Sequence, residues 1–193
     1  MMKTLVSASV QTGDTVANTT TKTRFATVLN MPPTASGTTV TAASDLRYGQ
    51  SFDVHCMGII STTATPGTLT MTVDHGNGSA GTTLTALGTT GAITPPASLS
   101  NAYWVLHGRV VYNTTGTDVG IATFVGHLDI TKSDNTIVRY PLISTGSGTT
   151  GMTTGLDTTR NVYNVIGIAV QWQTAAAGNS ITQAAGSLLG RRT

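Results

Sequence analysis

Charge is scarce in this sequence, and glutamate is absent from it. Charged residues make up 9% of the 193 residues, and all eight acidic residues are aspartate. Amphipathic helices are built largely from glutamate, lysine, alanine and leucine, whereas threonine and valine suit pleated strands. Threonine is the commonest residue here, and 22 residues are glycine. The composition predicts an all-β chain, and its 39% hydrophobic content, arranged in alternating blocks, argues against disorder.

Basic clusters, cysteine pairs and long apolar runs are also missing. The net charge of +2 comes from scattered basic residues, so no nucleic-acid partner is expected. The single cysteine, Cys56, excludes an internal disulfide and lies in an apolar strand, where a buried, inert thiol is expected. No run approaches the roughly 20 apolar residues that span a bilayer. Serines interrupt the apolar run at the N-terminus, so neither a membrane partner nor a signal peptide is expected.

The strongest pattern lies in residues 101–132, where two alternating apolar runs flank the turn formers of residues 113–118. This arrangement predicts a β-hairpin. Folding it about Gly116 sets Trp104 opposite Leu128, Leu106 opposite Gly126, and Gly108 opposite Phe124. The other face is polar, which is typical of an antiparallel sheet lying on a core. Its residues are Tyr103, His107, Arg109, Thr123, His127 and Asp129.

Similar patterns predict eight strands in the body of the chain. Their ranges are 46–61, 68–74, 82–87, 101–113, 119–131, 136–143, 160–173 and 179–188. Eight strands joined by uneven loops fit a two-sheet jelly-roll sandwich over residues 45–193, with an immunoglobulin-like sandwich as the alternative. Pro141 places its strand at an edge or bulge, and imperfect alternation predicts a bulge near Gly167. The predicted core comprises Phe52, Val54, Trp104, Leu106, Phe124, Leu128, Ile166 and Ile168.

Residues 1–44 are predicted to form an N-terminal arm with a short strand at 19–30. Residues 1–18 show no alternating face, so we expect them to lie outside the sandwich. Phe25, Val28 and Leu29 form a short apolar run that needs a partner. We therefore expect the arm to dock on a neighbouring subunit or on the capsid and to become ordered there.

Known catalytic and metal-binding patterns are not found. The four histidines, at positions 55, 75, 107 and 127, form no His-x-His pair, and no glutamate is present to complete a cupin-type metal site. No Gly-x-Ser-x-Gly elbow and no paired carboxylates of a glycosidase are evident. The sequence therefore predicts no catalytic residue, no cofactor and no metal site.

Three segments carry a family resemblance. They are Phe52–Pro66 followed by residues 67–70, Asn101–Gly108, and Val170–Trp172 followed by residues 177–182. Together they resemble jelly-roll virion proteins of tailed bacteriophages, in particular the head decoration (cement) proteins. The resemblance implies a structural protein made in the host cytoplasm that stands on the capsid surface as a homotrimer over the major capsid protein. A receptor- or carbohydrate-binding virion module is the alternative.

Two groups of residues are candidate interfaces in such an assembly. The first is the apolar run of the arm, with Phe25, Val28 and Leu29. The second is the polar face of the central hairpin, with Tyr103, His107, Arg109 and His127.

Overall fold

The computed structural model describes residues 4–30, 49–77, 83–114, 120–145, 152–156 and 164–191. These residues form eleven β-strands and no helix, hence no helix that could cross a membrane. The strands are β1 (Thr4–Ala17), β2 (Thr23–Asn30), β3 (Ser51–Ser61), β4 (Leu69–Asn77), β5 (Thr83–Thr89), β6 (Ala102–Thr114), β7 (Gly120–Thr131), β8 (Ile137–Ser144), β9 (Thr153–Leu156), β10 (Asn164–Trp172) and β11 (Ser180–Arg191).

All strand pairs are antiparallel, and the strands form one sheet that is nearly closed on itself. Its order is β1-β11-β3-β6-β7-β8-β5-β4-β10-β2, with β9 also paired to β7. The sheet turns between β8 and β5, which share only two residue pairs. The two end strands, β1 and β2, lie close together: the backbone N–H of Ala26 on β2 donates a hydrogen bond to the carboxylate of Asp14 on β1. The result is a β-sandwich with one layer of β1, β11, β3, β6, β7 and β8 and another of β5, β4, β10 and β2.

The core lies between these two layers. Phe25 of β2 stacks on Trp104 of β6 with ring centroids 6.2 Å apart, and His75 of β4 meets Tyr112 of β6 edge-on. All eight core residues predicted from the sequence are buried. Cys56 is buried as expected, and burial raises the pKa of its thiol to about 12, which leaves it unreactive.

The register of the central hairpin differs from the predicted one by two residues. Trp104 pairs with Ile130, Leu106 with Leu128, and Gly108 with Gly126. A shift of two keeps every side chain on its face, so period-2 alternation cannot distinguish the two registers. The ring of Phe124 fills the space over the glycine pair diagonally: a Cβ on Gly108 would lie 2.2 Å from its Cζ.

Two strand irregularities agree with the sequence. Pro141 pairs only with β7, in the part of β8 that has no partner on its other side. The register between β10 and β2 shifts between Gly167 and Ala169, which is the predicted bulge. Residues 164–170 are buried on both faces of β10, and this explains why their apolar residues fail to alternate.

The prediction of an arm outside the sandwich is wrong for residues 4–30. β1 pairs with β11 from Thr4 to Ala17, and β2 pairs with β10. Phe25 and Leu29 are buried in the core of their own chain, so they are not interface residues. A strand at a sheet end obtains its backbone hydrogen bonds from its partner, and it therefore needs no strong alternation of its own. The predicted boundary at residues 44–45 and the side chain of Val28 lie outside what the structure describes.

Candidate functional site

The outward-facing residues of β3, β6, β7 and β8, called the outer face below, form the most distinctive surface in the described residues. All the large hydrophobic residues that are exposed in the described part of the chain belong to this face. They are Tyr103 (70% exposed), Val125 (65%), Ile143 (64%), Ile137 (63%) and Met57 (40%). The register places Val125 directly beside Ile143, which makes a continuous apolar pair on β7 and β8. In the isolated chain this apolar surface is exposed to water, so its burial against another molecule is energetically favourable.

Three histidines cross the centre of the outer face in a straight line, called the histidine row below. His55 on β3 pairs with His107 on β6, and His107 pairs with His127 on β7. The ring centroids of His55 and His107 are 4.5 Å apart, and those of His107 and His127 are 5.3 Å apart. The row lines a shallow groove of about 460 Å³ together with Asp53 and Arg109.

Two ion pairs flank the histidine row, one on each side. Arg109 Nε donates to Asp53 Oδ1 at 2.6 Å. Arg139 donates two hydrogen bonds of 2.8 Å to the carboxylate of Asp129. The hydrogen bond from Arg139 lowers the pKa of Asp129, and the hydrogen bonds to the aspartates raise the pKa values of both arginines. Each arginine is thus neutralised within the chain, and the face has little net charge.

The surroundings of His107, the central residue of the histidine row, lower its pKa. Desolvation lowers the pKa of His107, and the positive charges that His55, His127 and Arg139 can carry lower it further, against the opposing charge of Asp129. The neutral imidazole is therefore favoured in the folded protein.

We expect stability to fall on acidification because of His107. Its folded pKa lies below the unfolded value of about 6.5, so the unfolded state binds the proton first. The free energy of unfolding should therefore decrease as the pH falls from about 6.5 through the folded pKa of His107. Urea unfolding at a series of pH values should show a shallower slope for His107→Gln than for the wild type. Equal slopes between pH 7 and 5 would contradict this assignment. The Asp129–Arg139 pair affects stability only at lower pH, below the ordinary aspartate pKa of 3.8, and does not interfere.

The structure brings four of the seven predicted interface residues together. Tyr103, His107, Arg109 and His127 all point outward from β6 and β7. The sequence did not predict that His55 and Asp53 of β3, or Arg139 of β8, would complete this surface. Alternation alone predicts that the side chain of His55 points away from the core. Its position beside His107 follows from strand pairing, for which the sequence offers no direct signal.

The fourth histidine has a structural role. His75 is buried, and its Nε2 lies 2.9 Å from Oδ1 of Asn164. In the described parts of the chain, no three His, Cys or Asp side chains converge in a way that could hold a metal ion. The chemistry that the outer face offers is therefore apolar contact, imidazole nitrogens and paired charges.

No protein-family model and no curated protein matches the chain. Among solved structures, it is similar to a peanut lectin with a nine-residue peptide, at 9% identity and a TM-score of 0.39, over 100% of this chain and 92% of the lectin. It is also similar to a seed lectin of Lotus tetragonolobus, at 11% identity and a TM-score of 0.38, over 100% of this chain and 94% of that one. A likeness of this degree identifies no function.

Proposed function

We propose that this chain is a structural virion protein of a bacteriophage, namely a non-catalytic head decoration protein of the jelly-roll class that binds the capsid surface and stabilises the shell. The observation that carries the proposal is that five exposed large hydrophobic residues share one outer face, namely Tyr103, Val125, Ile143, Ile137 and Met57. The resemblance of three sequence segments to such virion proteins supports it.

The outer face has the properties of a surface that becomes buried on assembly. Docking buries apolar side chains, which contributes roughly 25 cal/mol for each Å² removed from water. An unpaired charge would oppose that burial, but Asp53 and Asp129 already pair with Arg109 and Arg139 on the same face. The outer face can therefore be buried against another protein without leaving a charge unpaired.

The partners in this proposal are the major capsid protein and further copies of the chain in a homotrimer. A trimer presents three copies of each contact to a symmetric shell, so weak individual contacts combine through avidity. Of these two partners, we assign the outer face to the capsid.

A receptor- or carbohydrate-binding virion module is the second candidate, favoured by one observation. Tyr103 is an aromatic residue with 70% of its surface exposed. Exposed aromatic rings with a polar tip are common in recognition surfaces. A glycan array probed with the isolated protein separates this candidate from the first, because capsid docking predicts no saturable glycan binding.

Charge placed on the apolar pair of the outer face should abolish docking. Val125→Lys with Ile143→Lys adds two unpaired charges to the proposed contact but removes no core side chain, because both residues are about two-thirds exposed. Burying such charges without partners costs several kcal/mol. Co-sedimentation with heads purified without this protein should therefore show at least about a tenfold loss of affinity.

The matched control adds the same two charges at one end of the sandwich, as Ala175→Lys with Ala177→Lys, at exposed positions between β10 and β11. This control should sediment with the heads as the wild type does. Equal binding by both double variants would overturn the assignment of the outer face, and no binding by the wild type would overturn the decoration role itself.

A further inference from the structure

The imidazoles of the histidine row have no hydrogen-bond partner within the described part of the chain. The nearest charged atom to His127 Nε2 is Oδ2 of Asp129 at 3.7 Å, which is beyond hydrogen-bonding distance. The closest ring neighbours of these imidazoles are one another, with centroids 4.5 and 5.3 Å apart. Their nitrogens are therefore available to a ligand that lies between the rings.

A divalent transition metal fits the spacing of the rings. Zn²⁺ binds imidazole nitrogen at about 2.0–2.1 Å, so two nitrogens on one tetrahedral ion lie about 3.3 Å apart. The ring centroids of His55 and His107 are 4.5 Å apart, which is close enough for the two imidazoles to share one ion. The backbones are already held by strand pairing at these positions, so little chain entropy is lost when an ion binds.

Each positive group beside the row is paired with a negative one, so little net charge opposes a cation. Arg109 and Arg139 are the nearby positive groups, and each is hydrogen-bonded to an aspartate. Oδ2 of Asp129 lies 3.7 Å from Nε2 of His127, so a negative charge is close to a cation bound at that ring. No third side chain converges with a histidine pair among the described residues, so a pair is the binding unit and water completes the coordination.

We propose that the histidine row binds Zn²⁺, or a divalent cation of similar chemistry, through two neighbouring imidazoles, with His107 as the ligand common to both pairs. The site belongs to the isolated chain and does not depend on the docking proposal.

Isothermal titration of the tag-free full chain with Zn²⁺ at pH 7.5 tests the site. The wild type should bind a single Zn²⁺ per chain saturably. His107→Gln should lower the affinity by at least about tenfold, because even outer-shell partners of a metal contribute 10–100-fold. His55→Gln and His127→Gln each leave one pair intact and should have smaller effects.

A double variant keeps the test decisive where His107→Gln impairs folding. His55→Gln with His127→Gln leaves His107 without a neighbour and should lose as much affinity as His107→Gln. In NMR spectra, substoichiometric Zn²⁺ should shift the imidazole resonances of the row and leave those of buried His75 unchanged. The proposal is overturned if the wild type shows no saturable binding, if the double variant binds Zn²⁺ as the wild type does, or if His75 responds equally.

Discussion

Trp104→Ala should lower the free energy of unfolding by about 3–5 kcal/mol, which is the usual cost of truncating a fully buried large aromatic residue. Trp104 has no exposed surface, and its ring stacks on Phe25 of the opposite layer. Its Nε1 also donates a hydrogen bond of 3.0 Å to the carbonyl oxygen of Thr182. The truncation therefore removes a contact between layers, leaves a cavity and deprives a carbonyl of its donor. Urea unfolding followed by circular dichroism measures the loss.

The neighbouring residue provides the control for this experiment. Tyr103 lies on the same strand but points to the outer face, where 70% of it is exposed. Tyr103→Ala should change the stability by no more than about 0.5 kcal/mol, as is usual for surface substitutions. If Trp104→Ala unfolds at the urea midpoint of the wild type, the inward face assigned to β6 is wrong.

Lys22→Met should lower the free energy of unfolding by about 2–4 kcal/mol, because it leaves a buried carboxylate without its cation. The ammonium of Lys22 lies 3.0 and 2.9 Å from the two carboxylate oxygens of Asp74, whose side chain is 0% exposed. Lys22 itself is 41% exposed, and water therefore weakens the pair. For this reason the expected loss extends below the 3–5 kcal/mol typical of fully buried pairs.

Two further variants isolate the interaction between these residues. Asp74→Asn leaves a lysine that can reach water, so it should cost less than Lys22→Met. The double variant should be more stable than Lys22→Met alone, because it buries no unpaired charge. A double variant as unstable as the sum of the two single variants would show that the pair does not interact. Lys22 lies between β1 and β2, and a large effect would also confirm that this part of the chain is built into the sandwich.

Alternation predicted which side chains point to the core, and the structure confirms this for all eight core residues, including Phe52 and Ile168. It could not fix the hairpin register, because a slip of two residues preserves both faces. It also failed for β1, where only Val6, Ala8 and Val10 alternate with polar residues before the register shifts between Val10 and Asp14, yet the strand pairs with β11 from Thr4 to Ala17. The sequence predicted a short strand at 19–30, which corresponds to β2 (Thr23–Asn30), and eight strands from Leu46 onward; the described residues add β1 and the short β9.

The site was predicted in part for the same reasons. Tyr103, His107, Arg109 and His127 share a hairpin, so their common face follows from local pattern. His55 and Arg139 come from β3 and β8, and strand order decides their positions beside that hairpin. Phe25 and Leu29 were predicted as interface residues because their apolar run had no evident partner, but the opposite layer of the sandwich buries them.

Cryo-electron microscopy of heads carrying the protein tests the proposed attachment through the outer face of β3, β6, β7 and β8. We expect density of the major capsid protein against Tyr103, Val125 and Ile143, with the histidine row covered in the same contact. A map in which the protein is attached through another surface, and these residues face solvent, would contradict it.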